Sequence, residues 1–207
     1  MEQGETVVYI IDDDESVREG LADLLRSVGH TVQSFRSAQE FLDSKRSDAP
    51  GCIVLDVRLP GQSGLEFQRT LIRLHVELPI IFVSGHADIP MSVRAVKSGA
   101  IEFLTKPLHE QQLLDAVQVG IEHDLGRREQ AKAIGELQQR FNSLTPRERE
   151  IFPLIASGQR NKQIAAQFDL SEMTVKVHRS QIMRKMSASS LVDLVRMADK
   201  LAVSRRS

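Results

Sequence analysis

Polar residues that follow short apolar runs carry the chemistry that this sequence suggests. They are the acidic run 12–14, then Asp56, Ser84 and Lys106. The residue after a strand lies in the crevice beyond the carboxyl edge of an open α/β sheet, so we expect these side chains to converge. Carboxylates packed together repel one another unless a cation neutralises them, and a hard divalent ion with oxygen ligands suits that task. The sequence therefore predicts a site for Mg²⁺, or Mn²⁺ in its place.

Such a site is suited to the transfer of a phosphoryl group to a carboxylate. One carboxylate is the nucleophile and becomes an acyl phosphate, while the metal and an ammonium stabilise the charge of the phosphoryl group. A hydroxyl binds one of its oxygens. Asp56, Lys106 and Ser84 supply these three roles, and we predict that Asp56 is the phosphoacceptor. Asp14 and Glu15 are expected to cap the following helix instead, because carboxylates are favoured in a first turn.

Five apolar runs predict the elements that must position these residues. The runs cover residues 7–11, 32–35, 53–55, 80–83 and 101–104. Apolar residues recur at helical spacing in most of the segments that follow the runs. Runs without polar alternation are typical of strands that are covered on both faces. The pattern predicts an α/β fold of five βα units around a parallel sheet.

The same segments resemble the receiver domain of two-component response regulators. The resemblance rests on residues 11–14, 54–61, 83–86 and 103–107, in this order and spacing, and covers about residues 5–124. It implies a flavodoxin-like (βα)5 fold with strand order 2-1-3-4-5. It also implies that a sensor histidine kinase phosphorylates Asp56, and that the chain is not an enzyme beyond catalysing its own phosphoryl transfer and autodephosphorylation.

The resemblance also assigns roles to individual residues. It implies four protein ligands for the metal ion: Asp12, Asp13, Asp56 and the backbone carbonyl of Arg58. Lys106 would pair with the phosphoryl group, and the Lys106–Pro107 peptide bond is expected to be cis. Ser84 would be the switch hydroxyl and Phe103 the switch aromatic, at positions where many receivers carry Thr and Tyr.

Two alternatives belong to other classes of protein. A haloacid-dehalogenase-type phosphatase would use Asp12 as nucleophile and Asp14 as acid and base, with Ser84 and Lys106 downstream. That class needs a further acidic pair after the lysine and a cap domain, neither of which is seen, and it leaves Asp56 without a role. The second alternative is a scaffold that only dimerises and takes no phosphate, against which the complete set of site residues argues.

Charge divides the chain into halves of different character. Residues 1–124 hold 11 Lys and Arg against 20 Asp and Glu, whereas residues 125–207 hold 16 against 8. A basic C-terminal half suggests a polyanion such as nucleic acid as its partner. No apolar run approaches the roughly 20 residues that span a bilayer, and no signal peptide is recognisable, so we expect a cytoplasmic protein without a membrane partner.

The second half is predicted to be helical throughout. Residues 125–141 form a linker helix whose polar bulk is interpreted as a solvated surface rather than a coiled-coil seam. Residues 142–207 form four short helices, the first opened by Thr145 and Glu148 as a capping box. The second and third make a helix-turn-helix, with Val175, Ile182 and Met186 of the third facing the core.

Residues 144–148, 161–165, 170–171 and 174–178 resemble the LuxR/FixJ-type helix-turn-helix, over about 142–203. This implies that Lys176, Val177 and Ser180 face the bases of DNA, although relatives often carry a basic residue where Ser180 stands. The expected contacts with the DNA backbone are Asn161, Lys162, Thr174, Arg179 and Lys185. Similar domains dimerise through the last helix, and the apolar residues of this helix either do so here or only complete the core: Leu191, Leu194, Val195 and Ala198.

Together the two halves are similar to response regulators of the NarL/FixJ family, on its FixJ/StyR-like branch. The resemblance implies that phosphorylation shifts the face formed by the fourth helix and fifth strand toward a conformation that dimerises, which gives a homodimer. The dimer would place two recognition helices one DNA turn apart on double-stranded operator DNA. Activation is the expected effect on transcription, and RNA polymerase stays open as a further partner.

Overall fold

The computed structural model describes residues 5–85 and 89–204, so His86 of the receiver-like segments and both chain ends lie outside the described residues. The chain divides into two compact units, residues 1–128 and 129–207. This division lies inside the segment predicted as a linker helix.

The first unit is an α/β unit with a five-stranded parallel sheet. Its strands are β1 (Val7–Ile11), β2 (Thr31–Phe35), β3 (Gly51–Asp56), β4 (Ile80–Ser84) and β5 (Glu102–Thr105). Its helices are α1 (Glu15–Ser27), α2 (Ala38–Asp43), α3 (Gly64–Arg73), α4 (Ile89–Lys97) and the first part of α5 (Glu110–Asn142). The strand order is β2-β1-β3-β4-β5, which confirms the predicted fold class.

Both faces of this sheet are buried, which explains the apolar runs of the sequence. All residues of β1, β3 and β4 are buried, whereas the edge strands β2 and β5 are partly exposed. Alternate residues of the strands pack into two hydrophobic cores. Tyr9 and Phe82 belong to one core, and Ile10 and Ile81 belong to the other. Cys52 lies in the second core, where burial raises the pKa of its thiol to about 12, so the thiol stays protonated at neutral pH.

The edge of the sheet away from the carboxyl ends of the strands holds a buried ionic cluster that the sequence did not predict. Asp124 on α5 is completely buried and accepts a 3.1 Å hydrogen bond from the backbone N–H of Gly51, at the start of β3. It forms ion pairs of 2.7 Å with both Arg127 and Arg128. Arg128 also donates to the backbone carbonyls of residues 48 and 49. The cluster fastens α5 to the sheet in the last turn of the first unit.

The second unit is built from the end of α5 and four further helices. These are α6 (Pro146–Ala156), α7 (Asn161–Phe168), α8 (Glu172–Met186) and α9 (Leu191–Ser204). Val175, Ile182 and Met186 are fully buried, as predicted, and Leu137 and Phe141 of α5 join the same core. None of the helices in the described parts of the chain is long and apolar enough to cross a membrane.

Side chains fix the ends of the helices in this second unit. Thr145 and Glu148 form the predicted capping box at the start of α6. Asp169 ends α7 in the left-handed conformation, with φ of 52°, which short polar residues tolerate better than most. Ser171 then caps α8 by accepting a hydrogen bond from the N–H of Thr174. This tight turn between α7 and α8 makes the helix-turn-helix.

Candidate active site and nucleic-acid interface

The carboxyl edge of the sheet brings together three of the polar residues singled out in the sequence. The Nζ of Lys106, which follows β5, donates to Asp12 Oδ2 at 2.7 Å and to Asp56 Oδ1 at 3.0 Å. Asp12 follows β1 and Asp56 ends β3, and only 2% and 6% of their surfaces are exposed. Residues up to 94 positions apart in the chain therefore meet at one ammonium group.

The backbone around these side chains holds them in place. Asp12 Oδ1 accepts from the N–H of Asp14, and Asp56 Oδ2 accepts from the N–H of Arg58 at 2.5 Å. The backbone N–H of Lys106 donates to the carbonyl of Ser84, and the Lys106–Pro107 bond is cis, as predicted. Asp14 also caps α1 by accepting from the N–H of residue 17.

Two further residues shape the site, and no sequence motif points to either of them. Arg18 on α1 donates from Nη1 to the backbone carbonyls of Asp12 and Asp13, at 2.8 and 2.9 Å, and so holds the acidic loop. Gly64 starts α3 where the chain passes close to β3: a Cβ there would lie 2.5 Å from the backbone oxygen of Asp56. Any other residue would push the loop after Asp56 away from the sheet.

Charge at this edge is not balanced. Burial raises the pKa of Asp12, and the hydrogen bond from Lys106 opposes this change. Burial acts to lower the pKa of Lys106, but its hydrogen bonds to Asp12 and Asp56 outweigh burial and raise that pKa above its ordinary value. Lys106 therefore stays an ammonium at neutral pH. One ammonium faces two carboxylates when both are ionised, which leaves an excess of negative charge.

The donor set at this edge fits a hard cation. Asp12 and Asp56 offer buried carboxylate oxygens, and the excess of negative charge would be relieved by a divalent ion. Asp13, the third predicted carboxylate ligand, is exposed beside them. Within residues 5–85 and 89–204, no three Asp, Glu, His or Cys side chains are grouped closely enough to hold a metal by themselves. The side chain of Asp13 would have to turn toward Asp12 and Asp56 to join them.

The two predicted switch residues lie on neighbouring strands. Ser84 is buried at the end of β4, and its partner across the β4–β5 pair is Thr105. Phe103 on β5 is half-buried, and its ring centroid is 6.2 Å from that of Phe82. Its ring packs against the core that contains Phe82.

The second unit presents one face of α8 to solvent. Lys176, Val177 and Ser180, the predicted base contacts, are all exposed on this helix. At the start of α7, Lys162 is exposed and Asn161 is half-buried.

Three of the predicted contacts with the DNA backbone have partners inside the unit. The hydroxyl of Thr174 hydrogen-bonds that of Ser171, and Arg179 donates to the carbonyl of Gln159 at 2.9 Å. Lys185 forms a 2.6 Å ion pair with Glu148, whose side chain is 4% exposed. This ion pair joins α8 to α6. The sequence did not show this, because Lys185 has the spacing of an ordinary surface lysine.

Fold and site together define a regulator with a receiver unit and a helix-turn-helix unit. The family profile described as response regulator receiver domain matches residues 8–118, and the profile described as bacterial regulatory proteins, luxR family, matches residues 142–198. The chain belongs to the NarL/FixJ family of two-component response regulators, which are transcriptional regulators.

Relatives of this family match along nearly the whole chain. Nodulation protein W of Bradyrhizobium diazoefficiens is 50% identical over 198 residues, which are 96% of this chain and 87% of that protein. Transcriptional regulatory protein FixJ of Rhizobium meliloti is 38% identical over 92% of this chain and 94% of its own length. The structure of response regulator StyR is similar with a TM-score of 0.84 and 47% identity, over 95% of this chain and all of that one. The FixJ/StyR-like resemblance inferred from the motifs is thereby confirmed.

Proposed function

We propose that this response regulator is switched by phosphorylation of Asp56, with a sensor histidine kinase as the donor and Mg²⁺ as the cofactor. One observation carries the proposal: the Lys106 ammonium lies within 3.0 Å of Asp56, at the edge where Asp12 is also buried. Asp56 is thus a carboxylate with a fixed positive charge beside it. That arrangement suits a nucleophile whose product gains further negative charge.

In the transfer, an oxygen of Asp56 forms a bond to phosphorus while the bond between phosphorus and the donor's imidazole nitrogen breaks. Lys106 neutralises charge on the phosphoryl group, as preorganised charges do in enzymes. The metal ion supplies further charge neutralisation when it is bound. Asp12, Asp13, Asp56 and the backbone carbonyl of Arg58 would hold it. Arg58 also keeps one Asp56 oxygen in place through its N–H.

The proposed response begins at Ser84 and Phe103. The Ser84 hydroxyl binds an oxygen of the phosphoryl group, which draws the end of β4 toward Asp56. Phe103, half-buried on the adjacent strand, turns inward with it and changes the face formed by α4 and β5. This change favours the conformation of the α4 and β5 face that pairs with the same face of a second protomer, so it favours a homodimer.

The dimer brings two α8 helices to double-stranded operator DNA. Lys176, Val177 and Ser180 face the bases. The proposed contacts with the DNA backbone are Asn161, Lys162, Thr174, Arg179 and Lys185. In α9, Leu194 is buried in the core whereas Leu191 is 41% exposed, so Leu191 is the better candidate for a contact between protomers. Activation of transcription is the proposed effect, and a contact with RNA polymerase would accompany it.

Intact mass spectrometry with acetyl phosphate tests the phosphorylation. We expect one phosphoryl adduct on the wild-type chain that requires Mg²⁺, and none on Asp56→Asn. Treated wild type should also shift operator DNA at lower protein concentration than treated Asp56→Asn. An equal adduct on both chains would contradict the assignment of Asp56, and no adduct on either would favour the scaffold that takes no phosphate.

A further inference from the structure

The first turn of α8 carries an apolar side chain that neither the core nor the predicted DNA contacts use. Met173 is the second residue of α8 and is 67% exposed, more than any other large hydrophobic residue in the described parts of the chain. Val177, one turn further along, is 52% exposed. Two apolar side chains thus stand in solvent next to each other on one helix.

Helix geometry places this pair opposite the core of the unit. With about 100° between successive residues, Met173 and Val177 lie about 40° apart around the helix. The buried residues Val175 and Ile182 lie about 180° to 200° from Met173 by the same rule. Met173 therefore shares the exposed stripe of α8 with Lys176, where DNA is proposed to bind.

In the major groove of DNA, one chemical group on the base edges is a suitable partner for the exposed apolar pair Met173 and Val177. In helix-turn-helix proteins the N-terminal residues of the recognition helix contact the base edges, and Met173 lies at that end of α8. The 5-methyl group of thymine is the apolar feature of the major-groove edge, and apolar side chains contact it. Methionine is flexible and polarisable, so it can follow a methyl group whose position varies slightly.

We infer that Met173 and Val177 together read thymine methyl groups in each half of the operator, and that Met173 is a specificity-determining residue of this protein. The two residues are about 6 Å apart along the helix axis, which is nearly two base-pair steps of about 3.4 Å. The thymines that they contact are then expected within about two base pairs of each other. This inference rests on the DNA binding proposed above.

The test replaces thymine by deoxyuridine, which removes only the methyl group. Full-length wild-type protein, treated with acetyl phosphate and Mg²⁺, first selects its site from random double-stranded DNA. Duplexes of the selected sequence, each with one thymine replaced, are then titrated. We expect about fourfold weaker binding at a contacted position, the equivalent of one buried methyl group of about 0.8 kcal/mol.

Protein variants assign the contacts to residues. At the thymine that Met173 contacts, Met173→Ala should bind the thymine and deoxyuridine duplexes with equal affinity. At the thymine that Val177 contacts, the same variant should still bind the deoxyuridine duplex more weakly. Val177→Ala should show the reverse. Ile72→Ala, which removes a similarly exposed (58%) apolar side chain from α3, is the control and should respond like wild type. Alanine suits helices, so these variants should fold, and their melting temperatures check this.

The possible failures are distinguishable. A wild-type protein that selects no DNA sequence would overturn the proposed function and this inference with it. Two other results would overturn the inference and leave the proposed DNA binding standing. One is a selected site that has no thymine in its half-sites. The other is that deoxyuridine weakens binding of Met173→Ala at every position where it weakens binding of wild type.

Discussion

Asp124→Asn is expected to destabilise the receiver unit although it changes only one atom of a side chain far from the site. The amide has nearly the shape of the carboxylate and can still accept from the backbone N–H of Gly51 through its oxygen. It loses the charge that Arg127 and Arg128 bind. When its oxygen keeps the bonds from Gly51 and Arg128, its NH₂ group faces the guanidinium group of Arg127, which can only donate.

The size of the effect follows from burial. Removing one partner of a buried ion pair typically costs about 3–5 kcal/mol. Asp124 is completely buried, but the side chains of Arg127 and Arg128 are 32% and 28% exposed and can turn toward water. We therefore expect the free energy of unfolding to fall by about 3 kcal/mol, the lower end of this range. With a slope near 2 kcal/mol per molar urea, the unfolding midpoint would fall by about 1.5 M.

The chain offers a fluorescent probe for this unit alone. It contains one tyrosine and no tryptophan, and Tyr9 is fully buried in β1. Urea unfolding followed by tyrosine fluorescence therefore reports on the receiver unit. Asp115→Asn makes the same change on an exposed part of α5, where the carboxylate accepts from Gln111, and should change the free energy of unfolding by less than about 0.5 kcal/mol.

The pH dependence of the effect has a definite sign. Burial acts to raise the pKa of Asp124, but hydrogen bonds from Arg128 and Arg127 outweigh it and hold that pKa below the ordinary value. A carboxyl group with a lowered pKa stabilises the folded state above its unfolded pKa of about 3.9, and this stability is lost as pH falls through the folded pKa. The difference in unfolding midpoint between wild type and Asp124→Asn should therefore become smaller below about pH 4. Equal midpoints for Asp124→Asn, Asp115→Asn and wild type at pH 7 would refute the reasoning.

Three further predictions concern the site and the DNA interface. Gly64→Ala should lower the urea midpoint, because its Cβ would meet the backbone oxygen of Asp56 at 2.5 Å, whereas Gly126→Ala, with open space around it, should not. Lys106→Ala should slow adduct formation from acetyl phosphate on the order of a hundredfold, as loss of an oxyanion donor does; an unchanged rate in the mass assay would contradict this role. Lys176→Ala should weaken operator binding and leave phosphorylation intact, and equal affinity in a gel-shift titration would count against it.

Much of the fold could be predicted because its strands are buried on both faces. Continuous apolar runs and capping residues are local signals, and the parallel order then brings the ends of β1 and β3 to one edge. The convergence of Asp12, Asp56 and Lys106 could be expected on that ground. Helix α2 has only six residues, too few to show helical periodicity, so the sequence of its segment does not predict a helix.

The contacts that could not be predicted join residues far apart in the chain. Asp124 meets Gly51 across 73 positions, and Arg127 and Arg128 look like surface charges of a linker helix until the fold is known. Lys185 and Glu148 are 37 positions apart, and no local pattern shows that the glutamate is buried. Such pairs depend on tertiary packing, which periodicity and motif spacing do not encode.

Borohydride trapping tests the central claim most directly. Full-length protein is treated with acetyl phosphate and Mg²⁺ and then reduced with borohydride, which converts an aspartyl phosphate into homoserine. The position of the homoserine is then mapped by proteolysis and mass spectrometry. We predict homoserine at position 56 only, and only when Mg²⁺ is present. Homoserine at position 12 would instead point to the haloacid-dehalogenase-type chemistry, and its appearance anywhere other than position 56 would contradict the account.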